Sequence, residues 1–149
     1  MLCSLDRNTG TDHSEIGKVA LNVLVVDDSG VARAMIRKTL VVAGLPVGEV
    51  YEAGNGQEGL DALAEHWIDL VFVDINMPVM NGEEMIERIK ADPALADLPV
   101  IVVSTEGSKT RIERLQQRGT TFIHKPFSPE TVLTVVKEIT GIGHEQQVG

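Results

Sequence analysis

With 149 residues, 43% of them hydrophobic and a single cysteine, the chain has material for one domain with a real core and no intramolecular disulfide. Thirteen Lys and Arg against 22 Asp and Glu leave a formal charge of −9, and aromatics make up 3%, which excludes the basic, stacking surface that nucleic acids require. No apolar run approaches the roughly 18 residues of a membrane helix, and Met1 to Ala20 holds no apolar signal core, so a protein of a reducing cytoplasm is expected.

Residues 1–20 lack apolar periodicity and are expected to form a flexible extension. Leu21-Asn22-Val23-Leu24-Val25-Val26 is a short apolar run halted by Asp27-Asp28-Ser29-Gly30, the pattern of a buried strand. From Val31 to Ala43 the apolar Val31, Met35, Ile36, Leu40 and Val41 recur at roughly helical spacing, and Gly44 is placed to cap the C-terminus. Val47 to Ala53 is a second, weaker strand, and Gln57 to His66 a helix with Leu60, Leu63 and Ala64 on one face. Ile68 to Val73 forms the third strand, Asp74 follows it directly, and Met77-Pro78 breaks the chain into a loop. Glu83 to Lys90 is a helix with Met85, Ile86 and Ile89 on one side and two acids in its first turn, where the helix dipole favours them. Pro99 to Val103 is the fourth strand, left at Ser104, and Lys109 to Arg118 a polar helix with only Ile112 and Leu115 as its stripe. Thr120 to His124 is the fifth strand, followed by Lys125-Pro126-Phe127. Ser128 then caps a helix with Pro129 in first position and Val132, Leu133, Val136 and Ile139 turned inward. Gly141 ends it. The chain thus divides into an extension over 1–20, one domain over 21–141 and a tail over 142–149 too short for an output domain.

Five alternations of strand and helix predict an α/β fold, a five-stranded parallel sheet wound on both faces by helices. In such a sheet ligands bind at the carboxyl ends of the strands. Asp27 and Asp28 stand at the end of the first strand, Asp74 at the third, Ser104 at the fourth and Lys125 at the fifth. Two close carboxylates at about 4 Å repel by on the order of 4 kcal/mol at an effective dielectric near 20. A cation relieves that cost, and an all-oxygen set suits Mg2+. Such an ion can neutralise a phosphoryl group moving onto a carboxylate oxygen, with Lys125 as a mobile point charge for the same oxygens.

Val25-Val26-Asp27-Asp28-Ser29, the run Asp74-Ile75-Asn76-Met77-Pro78-Val79-Met80-Asn81-Gly82, Leu98-Pro99-Val100-Ile101-Val102-Val103-Ser104 and Lys125-Pro126-Phe127 together resemble the receiver domains of two-component response regulators, over about Asn22 to Thr140. The resemblance is strongest to the single-domain chemotaxis regulators. It implies a flavodoxin-like sheet of order 2-1-3-4-5 and a phosphoryl group accepted on Asp74 from a sensor histidine kinase. It also implies Mg2+ on Asp27, Asp28, Asp74 and the carbonyl of Asn76, with Ser104 and Lys125 contacting the phosphoryl oxygens. Further implications are a cis Lys125–Pro126 bond, an aromatic switch at Phe122, and Asn76 and Glu106 as the side chains that tune hydrolysis. The protein would catalyse its own phosphorylation and dephosphorylation and signal through the face spanning roughly Lys109 to Ile139, as a monomer or weak dimer. Two departures stand out: Thr105 is bulkier than the Ala or Gly often found there, and Phe122 lacks the hydroxyl of the tyrosine found in many chemotaxis members.

A phosphatase of the haloacid-dehalogenase type also uses an aspartyl nucleophile with Mg2+, but its acid/base aspartate belongs two residues on, where Asn76 stands. A constitutive docking module with a vestigial pocket is opposed by the intact set of Asp27, Asp28, Asp74, Ser104 and Lys125. No histidine pair among His13, His66, His124 and His144 has zinc-ligand spacing. Trp67, Met77 and Met80 read as packing residues, and Cys3 as a free thiol.

Overall fold

The chain is described by a computed structural model covering residues 20–141. The expected extension and tail, with Cys3, His13 and His144, lie outside the described residues. Five strands, β1 (Leu21–Val26), β2 (Val47–Ala53), β3 (Leu70–Val73), β4 (Val100–Ser104) and β5 (Thr121–His124), form one parallel sheet of order β2-β1-β3-β4-β5. Five helices alternate with them: α1 (Gly30–Val42), α2 (Gly56–Glu65), α3 (Gly82–Ala91), α4 (Lys109–Gln117) and α5 (Pro129–Thr140). No helix among the described residues is long and apolar enough to cross a membrane.

Alternate side chains of the central strands feed two separate cores. Leu24, Val26, Val71, Val73, Val100 and Val102 face Leu63 of α2, Met85, Ile86 and Ile89 of α3, and Leu115 of α4. Val23, Val25, Leu70, Phe72, Ile101 and Val103 face Ile36 and Leu40 of α1 and Val132 and Val136 of α5. Burial on both faces is why these strands are almost uniformly apolar rather than alternating.

Several expectations need correction. In α1 only Ile36 and Leu40 are buried, whereas Val31, Met35 and Val41 are 74%, 58% and 73% exposed. Ile36 and Leu40 are one turn apart and alone face the sheet; Met35 lies roughly 100° round the helix from Ile36. Gly44 does close α1, at φ 78°. Its N–H donates to the Val41 carbonyl at 3.0 Å and that of Leu45 to Leu40 at 3.3 Å, a Schellman ending. In α2, Ala64 is exposed, and Gly56 and Gly59 join Leu63 on the buried side. β3 begins at Leu70 rather than Ile68, because the Asn22 N–H donates to the Asp69 carboxylate (2.8 Å) where a ladder carbonyl would otherwise accept. Pro99 carries no N–H, and β4 starts one residue after it. In α5, Val132 and Val136 are buried while Leu133 and Ile139 are half-buried.

Candidate functional site

The sheet places the site residues through main-chain bonds that continue past the strand ends. The Asp27 N–H donates to Ala53 (3.0 Å), the Asp74 N–H to Val26 (3.0 Å) and the Lys125 N–H to Ser104 (3.0 Å). Asp27, Asp74 and Lys125 are therefore held at one edge by the same ladder that forms the core. The Lys125–Pro126 bond is cis, as the resemblance implied. Gly82, at the start of α3, packs so closely on Asp74 that a Cβ there would collide with the Asp74 carbonyl oxygen, and only glycine allows that approach.

Three carboxylates meet at this edge. Asp27, Asp28 and Asp74 each offer an oxygen, all within 4.8 Å of one another. Asp27 is buried, Asp74 intermediate and Asp28 exposed, so the cluster opens to solvent on one side. Lys125 Nζ lies 3.1 Å from Asp27 Oδ2 and 3.8 Å from Asp74 Oδ2. Asp27 Oδ1 accepts the Ser29 N–H at 2.9 Å, and Asp74 Oδ1 accepts the Ile75 N–H at 2.7 Å. Burial pushes the Asp74 pKa up, and the negative charge of Asp27 adds to the rise. The positive charge of Lys125, the Ile75 N–H and the nearby hydroxyl of Ser104 offset part of it. One lysine among three acids leaves a net negative, oxygen-only cluster, the donor chemistry a hard divalent cation such as Mg2+ prefers.

Of the other residues singled out in the sequence, Asn76 is exposed in the β3–α3 loop. Phe122 is half-buried, packs against the α3–α4 core and meets His124 edge-on at 4.7 Å. Glu106 does not point freely toward Asp74. Its carboxylate accepts from Arg111 Nη1 (2.9 Å) and from the Ser108 N–H (2.9 Å), while its own N–H donates to Ser104 Oγ (3.1 Å). Thr105 is exposed and lines an apolar cavity of about 330 Å3 with Met35, Ile36 and Phe127.

Two arginines complete the site and were not singled out from the sequence. Arg33 Nη1 donates to the Asp27 carbonyl at 2.6 Å while its Nε donates to Glu52 at 2.8 Å. Arg111 joins Glu106 to Glu83 in the first turn of α3, at 3.1 Å, and Arg114 also reaches Glu83 at 3.0 Å. The signal for the second cluster was present: Arg111 and Arg114 of α4 and Arg118 at its C-cap share one face, and Glu83 and Glu87 share one face of α3. Arg118 and Glu87 close the row at 3.1 Å.

Known proteins are similar to this chain over most of its length. A chemotaxis protein CheY homolog of Campylobacter jejuni is 34% identical over 125 residues, spanning 83% of this chain and 95% of the relative. Chemotaxis protein CheY4 of Vibrio cholerae superposes with a TM-score of 0.71 at 33% identity, covering 81% of this chain and 99% of that structure. The CheX–CheY–BeF3–Mg2+ complex of Borrelia burgdorferi gives a TM-score of 0.71 at 29% identity, over 80% of this chain and 88% of that one. The family model of the response regulator receiver domain matches residues 23–137, and with these relatives it establishes that the chain belongs to the response regulator receiver family.

Proposed function

We propose that Asp74 is the residue that accepts the phosphoryl group, from the phosphohistidine of a sensor histidine kinase. An oxygen of its carboxylate forms the new O–P bond as the P–N bond breaks, and that electron pair leaves with the imidazole nitrogen. The observation that carries this reading is the meeting of Asp27, Asp28 and Asp74 within 4.8 Å, with Lys125 3.8 Å from the Asp74 carboxylate. Asp27, Asp28, Asp74 and the Asn76 carbonyl would hold Mg2+, which supplies charge neutralisation for the transferring group. The Borrelia relative is complexed with Mg2+ and BeF3, which supports that assignment. Lys125 screens the acids and offers its charge to the phosphoryl oxygens, and Ser104 orients by hydrogen bond. Asn76 and Glu106 tune hydrolysis. The module over 21–141 works in the cytoplasm and passes its state to a protein target across the face from Lys109 to Ile139, around Phe122. Its relatives in Campylobacter and Vibrio are chemotaxis proteins, and chemotaxis is the pathway proposed.

Incubation with acetyl phosphate and Mg2+, followed by intact mass measurement, tests the acceptor. The protein should gain one phosphoryl group and Asp74→Asn none, because an amide oxygen is a poor nucleophile and forms no stable acyl phosphate. An adduct persisting on the variant would move the acceptor elsewhere.

A further inference from the structure

A chain of polar contacts runs from Ser104, at the end of β4, to the first turn of α3 beside Asp74. The Ser104 oxygen accepts the N–H of Glu106 at 3.1 Å, which ties the end of β4 to the loop that follows it. The Glu106 carboxylate is held by Arg111 at 2.9 Å, and Arg111 is held by Glu83 at 3.1 Å. Glu83 follows Gly82, whose Cα abuts the Asp74 carbonyl. Loop 105–108 between β4 and α4 is tied to the helix main chain only through Ser108, which caps it, and α4 buries a single side chain, Leu115. The bond from Glu106 to Ser104 therefore depends on what anchors Glu106 from outside the loop. The anchor is Arg111, three-quarters buried and bonded on both sides.

We propose that Arg111 is a positioning residue for phosphorylation: by pinning Glu106 it keeps the Glu106 N–H on the Ser104 oxygen and so fixes that hydroxyl at the strand end beside Asp74. This rests on the reading of Asp74 as phosphoryl acceptor and Ser104 as its hydrogen-bonding partner. A hydroxyl oxygen held by a main-chain N–H stays in place with its own proton left to donate, so it meets the incoming phosphoryl oxygens already positioned. Without Arg111 the Glu106 carboxylate keeps only its short-range bond from the Ser108 N–H. The loop then samples positions in which Glu106 no longer donates to Ser104, and the hydroxyl is no longer held in place. Glu83 contributes one step further out, because it holds the second amino group of Arg111 and shares itself with Arg114.

The test is a double-mutant cycle on the phosphorylation rate with acetyl phosphate at fixed excess Mg2+, read by intact mass. Arg111→Ala should slow phosphorylation of Asp74 by on the order of five- to tenfold, the loss expected for a misaligned group. Arg111→Lys, which keeps the charge beside Glu106, should recover part of it, and Glu83→Gln should show a smaller loss. In a Ser104→Ala background, Arg111→Ala should have no further effect, because the hydroxyl through which it acts is gone. Calorimetric titration of Mg2+ alone should give the same affinity for the Arg111→Ala variant and the unsubstituted protein, which separates positioning from collapse of the acidic cluster. An unchanged or raised rate in Arg111→Ala would overturn the proposal, as would an equal loss with and without Ser104. Absence of an adduct on Asp74 in the unsubstituted protein would overturn the acceptor assignment together with this one. A normally labelled protein with an indifferent Arg111→Ala variant would overturn this one alone.

Discussion

Arg33 and Arg111 brace the site from β1 and β4, the two strands that flank β3 and Asp74, and each is tied at its far end to a glutamate. Arg33 ends on a main-chain carbonyl, that of Asp27, in a segment whose N–H is already committed to β2. Its helix, α1, buries Ile36 and Leu40 and begins at a capped Ser29 whose hydroxyl accepts the Ala32 N–H. Arg111 ends on a side chain, in a loop without ladder bonds, and its helix buries only Leu115. The α3–α4 contact is otherwise a row of surface ion pairs, each weak in water. The β1 half is therefore built as a rigid seat for the acidic cluster, and the β4 half is the more loosely anchored part, held mainly by ionic contacts.

Truncating one buried leucine in each half should separate them most clearly. Leu40→Ala and Leu115→Ala each remove a side chain that is 1% exposed, and each should cost about 2–5 kcal/mol in urea melts. Amide exchange should differ more than the melts do. The Leu115 variant should lose protection mainly over Lys109–Gln117, by local opening, while the Leu40 variant loses it across the sheet. Uniform loss in both would make α4 as fixed as α1.

Asp28→Asn probes the seat itself. Without metal, relief of acid–acid repulsion should stabilise the protein by roughly 1–3 kcal/mol. Millimolar Mg2+ should then stabilise the native sequence far more than the variant, because binding adds to folding only where the ligand set is complete. Melts of both proteins in EDTA and in Mg2+ give the four values; a variant that is less stable in EDTA yet gains as much from Mg2+ would remove the acids as the metal site.

The seat was largely legible in the sequence, and the brace on the β4 side was not. Asp27, Asp28, Asp74, Ser104 and Lys125 stand at strand ends, and strand ends follow directly from where apolar runs stop. The order of the sheet came with the family resemblance rather than from periodicity. Arg33 and Arg111 are single polar residues on helices, and what each touches depends on the packing of an element distant in sequence. Val31, Met35 and Val41 misled for a related reason: apolar residues at loose helical spacing do not show which arc faces the sheet when only one turn is in contact. Glu106 was identified by position, but its engagement by Arg111 depends on the rotation of α4.

Glu83 offers a finer measure of the ionic contact. Burial alone would raise its pKa, yet hydrogen bonds and charges from Arg111 and Arg114 outweigh that and hold it below the ordinary 4.5. A carboxylate with a lowered folded pKa stabilises the fold above its unfolded pKa and loses that contribution as pH falls through the folded value. Glu83→Gln should therefore cost about 0.5–1 kcal/mol at neutral pH, and less at about 1 M salt. The gap should close as pH drops from 4.5 through the lowered folded value. A gap independent of pH would mean the pairs add nothing and the change acts through packing.

The smallest expected effect lies between the two halves, in the β3–α3 loop. Val79 sits at φ 67° and is 81% exposed, so a β-branched side chain occupies the left-handed region with no burial to compensate. Asparagine tolerates that conformation because its short polar side chain bonds locally, and it does not loosen the unfolded chain as glycine would. Val79→Asn should accordingly stabilise the protein by about 0.5 kcal/mol, part of the roughly 1–2 kcal/mol that the left-handed form costs. The main chain around Val79 is already held, since the Met80 N–H donates to Pro78 at 2.7 Å and the Gly82 N–H to Ile75 at 2.8 Å. The loop should keep its path, and the rate of phosphorylation on Asp74 should be unchanged while stability rises. A rate that changed together with stability would show that strain at Val79 is transmitted to Asp74 through Gly82, making this loop a third working part of the site rather than a passive link between the fixed and the more loosely anchored halves.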